Sequence, residues 1–484
     1  MQMAPSIVIN REAEQEALRR LAGTGRHLAL LTGRRRVGKT YLLTHIWEDH
    51  PFFFYTASKT TPEINRRQLI EDLAAWSGEA LRTEDYPTWR TVFKLLLEVG
   101  SPAPLVVILD EFQYLGDDTG GALEVASELN AVWERTLSEH PFLLVLSGSA
   151  VGTMEALAAG GGPLYGRFDW HQRLQPFGYW HTAEMARFDT LRDRALTYGI
   201  FGGTPRYLAA LDAEVPLADN VMRLLLDPSG EVRLLIETAL DQEEGLRDVS
   251  KYRAILQAVA SGCTERNDIA GHTGLGNDRA LRDKLERLAA LGYIETRQNI
   301  DARPNAAVRY GIADAAFRFH QRFVEPNRSL LEQYPAEAVW TESVAPHLDP
   351  YMGHEFERIV TQAYPRKAGA LGLPMVAEWG RWEGVDRVRL SLEIDIVARL
   401  AGGGILTGAI KWNRTPVDAS VHWNHLDMLQ RAATAGRKWA HQALEADAPL
   451  LYVAAGGFAE GFREAVGASD HPATCWMLED LYAT

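Results

Sequence analysis

The sequence is poor in cysteine, in long apolar runs and in positive charge. Its two cysteines in 484 residues are too few for a disulfide framework or a cysteine-rich zinc site, as in a reducing compartment. No apolar run approaches the length that spans a bilayer, and the start Met1–Ser6 lacks the basic and apolar regions of a signal peptide. We therefore expect a cytoplasmic protein with no membrane partner.

The balance of charge is acidic, with 64 Asp and Glu against 50 Lys and Arg and a formal net charge of −14. This excludes a surface coated all over with nucleic-acid-binding charge, but it leaves room for a local basic surface. The remaining composition, 46% hydrophobic and 24% charged, is typical of globular domains. At this length we expect several domains rather than one core.

A complete phosphate-binding pattern stands near the start of the chain. Residues 33–40 read Gly-Arg-Arg-Arg-Val-Gly-Lys-Thr, between an apolar run at 27–32 that predicts a buried strand and a predicted helix at 39–47. The glycines let backbone N–H groups point inward at the positive end of that helix, where an anion binds. Lys39 is predicted to reach the β and γ phosphates of ATP, and Thr40 to ligate Mg²⁺. The predicted nucleotide contacts in this segment are Gly33, Arg36, Val37, Gly38, Lys39, Thr40 and Tyr41. The alternative is a glycine-rich turn with a solvated basic cluster.

Two acids follow a second apolar run, at 105–109. Five apolar residues in a row suit a central parallel strand, which delivers carboxylates beside the phosphates at its C-terminal end. Asp110 is predicted to hold Mg²⁺, and Glu111 to orient or deprotonate the attacking water. A solvated strand end is the alternative for this pair.

Two further residues complete the predicted catalytic set. The apolar strand at 142–146 leads to Ser149, a candidate sensor of the γ phosphate, for which a small-residue turn is the alternative. Arg167 is a candidate for stabilising transition-state charge, in its own subunit or in a neighbour, so a homo-oligomer is one prediction. A solvated loop arginine is the alternative.

These residues resemble those of a known family. The opening Ile-Asn-Arg-Glu at 9–12, the two ATPase motifs, Tyr-Gly-Arg at 165–167 and Gly-Gly-Thr-Pro-Arg-Tyr at 202–207 are similar to the archaeal-type P-loop ATPases of the AAA/STAND group. The resemblance spans about residues 7 to 215. It implies that Arg11 and Pro205 lie near the adenine and ribose. Without it, the segment around Pro205 is a plain interhelical turn.

Short amphipathic helices from Lys251 onward, followed by a predicted two-stranded wing at 292–310, favour a winged helix-turn-helix. Arg279, Arg282 and Lys284 on its third helix are the DNA-binding candidates. Residues 276–297 carry five basic and four acidic side chains, which is weak for a DNA reader. A winged helix used for packing or partner contact is therefore an open alternative.

The C-terminal segment resembles the restriction-endonuclease-like, or PD-(D/E)XK, domain found in these ATPases. Its metal site needs an acid on one strand and Glu-x-Lys on the next. Asp395 and Lys411 fit, but Ala409 stands where the second acid belongs. Glu357 and Glu393 are candidate substitutes, and period-two alternation puts Glu393 on the same strand face as Asp395. A strand-end salt bridge is the alternative for Asp395 and Lys411. The nearby histidines His422 and His425 are predicted to be a satisfied core or helix-surface pair.

The predicted architecture is a multidomain α/β protein. It comprises a P-loop ATPase core with a parallel sheet at 1–180, a helical lid at 181–245, a winged helix at 246–325 and a restriction-endonuclease-like α/β domain at 326–484. The favoured function is an ATP-binding and ATP-hydrolysing protein that couples nucleotide state to DNA, with a degenerate nuclease-like domain. A STAND-like switch that acts through assembly, and an active metal-dependent nuclease that uses Glu393, are the alternatives.

Overall fold

The computed structural model describes residues 8–47, 50–98, 105–117, 121–135, 141–243, 246–303, 306 and 308–483. The opening six residues, on which the expectation about a signal peptide rests, lie outside these ranges. The chain divides into two compact units, Met1–Pro176 with Thr204–Arg206, and Phe177–Gly203 with Tyr207–Thr484. No helix in the described ranges combines the length and apolarity needed to cross a membrane.

The first unit is built on a five-stranded sheet in the order β2-β3-β4-β1-β5, with every neighbouring pair parallel. Its strands are β1 (Arg26–Thr32), β2 (Phe52–Thr56), β3 (Leu105–Asp110), β4 (Phe142–Gly148) and β5 (Trp170–Arg173). Strands β3 and β4 are buried along their whole length, as apolar runs covered on both faces must be. The expected α/β class with a parallel central sheet is confirmed.

Side chains of one strand alternate between two cores. Leu28 and Leu30 of β1 belong to one apolar cluster, and Ala29 and Leu31 belong to another. Helices cover both faces of the sheet, because neither face can remain exposed to water. They are α1 (Glu12–Ala22), α2 (Lys39–His45), α3 (Pro62–Ser77), α4 (Trp89–Glu98), α5 (Gly121–Trp133) and α6 (Val151–Ala158). The helix predicted at 39–47 ends two residues early, where the Trp47 indole donates to the Leu43 carbonyl and closes the last turn.

The second unit begins with helices. They are α7 (Tyr179–Ala186), α8 (Leu191–Phe201), α9 (Pro205–Leu208, which starts in the first unit), α10 (Leu217–Val221), α11 (Glu231–Glu237), α12 (Val249–Ala260), α13 (Arg266–Thr273) and α14 (Arg279–Ala290). An antiparallel pair follows, β6 (Ile294–Arg297) with β7 (Arg309–Ile312). The leucines of α14 that share its inner face, Leu281, Leu285 and Leu288, are buried against α12 and α13 in one core.

The chain then returns to helix and closes with a second sheet. The helices are α15 (Ala315–Phe319), α16 (Arg328–Gln333), α17 (Ala336–Val339), α18 (Ala345–Ala368), α19 (Ser420–Thr434), α20 (Lys438–Ala443), α21 (Glu460–Gly467) and α22 (Leu478–Tyr482). The strands are β8 (Val376–Val385), β9 (Ser391–Leu400), β10 (Ile405–Lys411), β11 (Leu450–Ala454) and β12 (Ala473–Trp476). Their order is β12-β11-β10-β9-β8, and the sheet is mixed, since β8, β9 and β10 are antiparallel and β10, β11 and β12 are parallel.

Candidate nucleotide-binding site

The loop at residues 33–38 joins β1 to α2 and depends on its two glycines. Gly33 has φ +150°, and a Cβ there would lie 2.8 Å from the Leu174 carbonyl oxygen. Gly38 precedes α2 with φ +93° and provides no side-chain cap for the helix. Between them, Arg36 also adopts a positive φ of 72°. These conformations curl the backbone in the way that an inward-facing phosphate cradle requires.

The side chain of Lys39, the first residue of α2, reaches back to this loop. This side chain is buried, and Nζ donates to the Gly33 carbonyl at 2.8 Å and to the Arg34 carbonyl at 3.4 Å. The neighbouring Val37 is buried in the core beneath the loop, whereas Tyr41 is exposed and stacks on His45 with ring centroids 4.0 Å apart. The ammonium group is therefore held at the mouth of the loop by carbonyl oxygens, which an anion can replace.

Two oxygen donors suited to a divalent cation lie side by side. Thr40 Oγ1 donates to Asp110 Oδ2 at 2.7 Å, and Asp110 is buried at the C-terminal end of β3. The hydroxyl and the carboxylate meet because α2 begins, and β3 ends, at the same edge of the sheet. This pair has the chemistry of a partial Mg²⁺ shell whose other ligands are phosphates and water.

Glu111 is held by one of its two carboxylate oxygens. Oε2 accepts hydrogen bonds from Ser149 Oγ at 2.6 Å, from the Ser149 backbone N–H at 3.1 Å and from Gln113 Nε2. Glu111 itself has a positive φ of 52°. Burial would raise the pKa of Glu111, but the charge of Lys39 and the donors Ser149 and Gln113 outweigh it, so the pKa is lowered. The side chain is therefore kept ionised.

Gln113 was missed by the sequence reasoning. It is buried, and its amide contacts both Glu111 and Ser149, the latter at 3.5 Å. The glycine opposite it, Gly148, leaves room for this amide in its present position, since a Cβ there would lie 2.3 Å from Gln113 Oε1. A usable signal is the polar residue two positions after Asp-Glu, within an otherwise apolar segment. Ser149, predicted as a γ-phosphate sensor, is thus bound to the carboxylate of Glu111.

The residues assigned by resemblance to the base side lie around the same loop. Arg11 is buried, donates to the Gln175 carbonyl and lies 3.7 Å from Glu14. Pro205 Cγ lies 3.8 Å from the position of a Cβ at Gly38, and Arg34 Nη2 donates to Thr204 Oγ1 at 3.2 Å. The turn at 204–206 is therefore packed on the loop that carries Lys39.

Arg167 does not join this group of contacts. Its Nε donates to Asn130 at 3.2 Å, and its guanidinium forms an ion pair with Glu134, just beyond the end of α5. As the chain stands, the guanidinium is occupied by that acid.

A second set of predicted residues meets in the C-terminal sheet. A cavity of about 350 Å³ is lined by Glu393, Asp395, Ala409, Lys411 and His425, among others. Asp395 Oδ2 accepts from Lys411 Nζ at 3.1 Å and from the Ile410 backbone N–H at 2.9 Å. The exposure of alternate residues along β9 agrees with the prediction that Glu393 and Asp395 share a face.

The two acids proposed as substitute metal ligands, Glu357 and Glu393, both contact Arg381. Arg381 donates to Glu393, and at 3.4 Å to Glu357, and it also pairs with Glu383. Within the described ranges, no group of three or more His, Cys, Asp or Glu side chains is placed to hold a metal ion. The carboxylates of this site are therefore committed to cations of the protein itself.

The two histidines beside this cavity are buried but only half satisfied. His422 Nδ1 lies 2.8 Å from the Tyr452 hydroxyl, and His425 Nε2 lies 3.1 Å from Thr407 Oγ1. The other ring nitrogen of each has no hydrogen-bond partner among the residues that the structure describes. Burial, helped by His422 and Lys411, lowers the pKa of His425 to about 3. His425 is therefore neutral at physiological pH.

The DNA-binding candidates lie on α14. Arg279 and Arg282 are exposed, and Arg279 lies 3.8 Å from Asp283. Lys284 Nζ lies 5.6 Å from the centroid of the Tyr252 ring on α12, so it leans on the helical core rather than into solvent.

Taken together, the parallel sheet, the loop between β1 and α2 and the acids at the end of β3 define a P-loop ATPase domain. Residues 8–211 match the family described as an ATPase domain predominantly from Archaea. Residues 320–422 match a family described as Archaea bacterial proteins of unknown function, and this segment includes β8, β9 and β10 of the C-terminal sheet. The first unit is thus similar to ATPase domains of the archaeal type.

Individual relatives are distant. An uncharacterised protein of Methanocaldococcus jannaschii is 23% identical over 401 residues, which is 79% of this chain and 84% of that protein. A solved Walker-type ATPase of Pyrococcus abyssi is 22% identical, covers 65% of this chain and 96% of its own, and superposes with a TM-score of 0.48. The ORC2 protein of Aeropyrum pernix, solved with ADPNP and ADP, is 14% identical, covers 68% and 96%, and gives a TM-score of 0.43.

Proposed function

We propose that the chain binds ATP with Mg²⁺ at the loop 33–38 and hydrolyses it. The observation that carries the proposal is the meeting of three groups at one sheet edge, namely the ammonium of Lys39, the Thr40–Asp110 pair and the anchored carboxylate of Glu111. Phosphoryl transfer requires little else from a protein, because it is accelerated mainly by positioning and by compensating charge.

The donor set fits both partners. Lys39 exchanges carbonyl oxygens for phosphate oxygens, and the backbone N–H groups after Gly38 receive the remaining negative charge. Thr40 and Asp110 hold Mg²⁺, which offsets charge on the phosphates when bound. Arg11 and Pro205 flank the base, and Arg36, Val37 and Tyr41 support the loop.

Glu111 accepts the proton of the attacking water. Because three donors occupy Oε2, the other oxygen, Oε1, is left to accept a hydrogen bond from water in a fixed direction. The lowered pKa keeps the carboxylate ionised, as a base requires. Arg167 can stabilise the negative charge of the transition state only after its ion pair with Glu134 breaks. It would then act in its own subunit or in a neighbouring subunit of a homo-oligomer.

We further propose that nucleotide state is coupled to duplex DNA through the second unit. In this proposal α12 to α14 with β6 and β7 form a winged helix whose third helix presents Arg279, Arg282 and Lys284. The C-terminal sheet is a restriction-endonuclease-like domain that binds without cutting, since Ala409 removes one ligand and Arg381 neutralises Glu357 and Glu393.

The test is ATP turnover by the purified chain, with and without single- and double-stranded DNA. We expect turnover to rise several-fold with duplex, and to vanish in Lys39→Ala with or without DNA. An exposed-lysine variant, Lys59→Ala, is the control and should retain both rates. If turnover ignores every DNA form while the mass of the particle differs between ATP and ADP, the STAND-like switch replaces the DNA-coupled reading.

A further inference from the structure

Two loops of the second unit present arginines without partners. One is residues 386–390 between β8 and β9, named the tip loop here, and the other is residues 298–303 after β6, named the β6 loop. Arg387 and Arg389 of the tip loop and Arg303 of the β6 loop are exposed. Throughout the described ranges, none of the three guanidinium groups takes part in a hydrogen bond or ion pair.

The tip loop is held in one conformation by Asp386. Its Oδ1 accepts the backbone N–H groups of Val388 and Leu390, each at 2.9 Å. Its Oδ2 accepts from Arg431 at the end of α19, through Nε at 3.1 Å and Nη2 at 2.8 Å. The loop is therefore fixed both internally and to a helix, and its arginines start from a rigid base.

The β6 loop is anchored to the same part of the unit. Asp301 forms an ion pair at 3.6 Å with Arg437, six residues after Arg431 in the turn between α19 and α20. The Asn299 side chain binds both backbone groups of Glu383, donating to its O at 2.8 Å and accepting from its N–H at 3.1 Å. Both loops are thus paired with arginines of one segment, residues 431–438, which spans the end of α19 and the start of α20 and is named the helical turn here.

In these two loops the acids are paired with arginines, whereas several basic side chains are exposed and unpaired within the described ranges. The acids Asp301 and Asp386 are each neutralised by an arginine of the helical turn. The next residue of that turn, Lys438, is exposed and unpaired within the described ranges. Residues 299–303, 386–390 and 431–438 contain six basic and two acidic side chains, a net of +4 in a chain whose net charge is −14.

We propose that Arg303, Arg387, Arg389 and Lys438 form the principal duplex-binding surface of this protein, with each cation contacting a backbone phosphate. This inference rests on the DNA partner of the proposed function and replaces α14 as the main contact. Four cations carried by two loops and the helical turn suit a regular array of anions, because within the described ranges none of them is paired with an acid and the tip loop is already ordered by Asp386.

Apolar residues in the tip loop favour a grooved polymer as the occupant. Val388 and Leu390 are 73% and 58% exposed, and they alternate with the two arginines. In a duplex, aliphatic side chains that flank phosphate-binding arginines meet sugars and base edges, where they bury apolar surface. An anionic lipid surface also attracts basic residues, but four cations are the minimum of the clusters that hold to such surfaces.

The experiment is fluorescence anisotropy of a labelled 30-bp duplex with the full chain over a range of sodium chloride. The test variant combines Arg303→Ala, Arg387→Ala, Arg389→Ala and Lys438→Ala. The control combines Lys59→Ala, Arg67→Ala, Arg82→Ala and Arg90→Ala, which remove the same charge from exposed positions of the first unit. Each lost phosphate contact lowers the magnitude of the slope of log K against log salt by about 0.9, so the loss of four contacts should lower it by about 3.6 and should weaken binding at 0.1 M salt by roughly 1,000-fold or more. The control should keep the wild-type slope.

Several outcomes would overturn the proposal. They are a wild-type slope in the test variant, an equal loss in the control, or wild-type protein that binds phosphatidylserine vesicles and no duplex. If only Arg279→Ala, Arg282→Ala and Lys284→Ala lose duplex affinity, the main DNA contact is α14, and the DNA partner of the proposed function is retained. Turnover of ATP without DNA should be unchanged in the test variant. A wild-type chain that binds duplex through these cations but does not bind ATP would refute the nucleotide proposal and support this one.

Discussion

Each of the two units carries a pair of acids on or beside one strand, yet the acids have different partners. In the first unit, the carboxylate of Glu111 receives neutral donors from Ser149 and Gln113, and Asp110 is bound to the hydroxyl of Thr40. In the second unit, Asp395 is bound to Lys411, and Glu393 is bound to Arg381. A neutral donor leaves the negative charge available to a ligand, whereas an ammonium or guanidinium group cancels it.

The difference shows why two acids close together on a strand do not by themselves identify a metal or catalytic site. The first pair follows the pattern of its fold, whereas in the second pair Glu393 would have to replace the acid that is missing at Ala409. Only the first pair is held by neutral donors, and we therefore propose chemistry for the first unit and binding for the second.

The largest expected effect comes from removing the carboxylate of the first site. Glu111→Gln keeps the shape and the contacts with Ser149, but it cannot accept a proton, so turnover should fall by about 100-fold or more. ATP affinity should change little, because Lys39 and the loop are intact. Turnover and nucleotide binding would be measured together, with Glu128→Gln on α5 as the control. Wild-type turnover in Glu111→Gln would contradict the role of Glu111 as the base and the functional difference between the two pairs of acids.

A smaller effect is expected from Gln113→Ala. Loss of this donor destabilises the ionised form of Glu111, so its pKa rises and the acidic limb of the pH–rate profile moves to higher pH. Turnover near pH 7 should fall by about 10-fold, because the carboxylate also loses a donor that fixes its direction. Tyr114→Phe, which removes only a hydroxyl that accepts from Arg35, should leave the limb in place. An unshifted limb in Gln113→Ala would mean that Gln113 has a packing role alone.

Much of the first site was predictable because its signals are local. The strands ending at Thr32 and Asp110 are runs of apolar residues, and the loop 33–38 is a contiguous motif. The contact of Gln113 with Glu111 and Ser149 was not predictable, because it joins residues 36 positions apart through a specific backbone turn. In the second unit, alternation predicted the shared face of Glu393 and Asp395. The pairing of Glu393 with Arg381 depends on strand register, which periodicity does not determine.

The second unit offers a test of stability rather than rate. Unfolded His425 binds a proton below about pH 6.5, while the folded protein binds it only near pH 3. The free energy of unfolding should therefore fall as the pH falls through this window, by about 1.4 kcal/mol per pH unit from this group. Chemical unfolding at pH 7 and pH 5 should show a weaker pH dependence in His425→Gln than in wild type. The exposed His441→Gln should match wild type, and equal slopes in all three would contradict the account.

The smallest effect is expected at the acid proposed as a substitute ligand. Glu393→Ala should leave Mg²⁺-dependent cleavage of duplex DNA at background, as in wild type, because Arg381 already cancels that charge. The assay is plasmid nicking over several hours with and without Mg²⁺. If the wild-type protein cleaves DNA and Glu393→Ala abolishes this cleavage, the C-terminal domain is an active nuclease, and both units carry a catalytic site.

The most direct test of the central claim is a calorimetric titration of the folded chain with ATP and Mg²⁺, beside Lys39→Ala. We predict saturable heat with one nucleotide per chain for wild type, and none for the variant. Absence of heat from well-folded wild-type protein, or equal binding by Lys39→Ala, would contradict the assignment of the loop 33–38 as a triphosphate site.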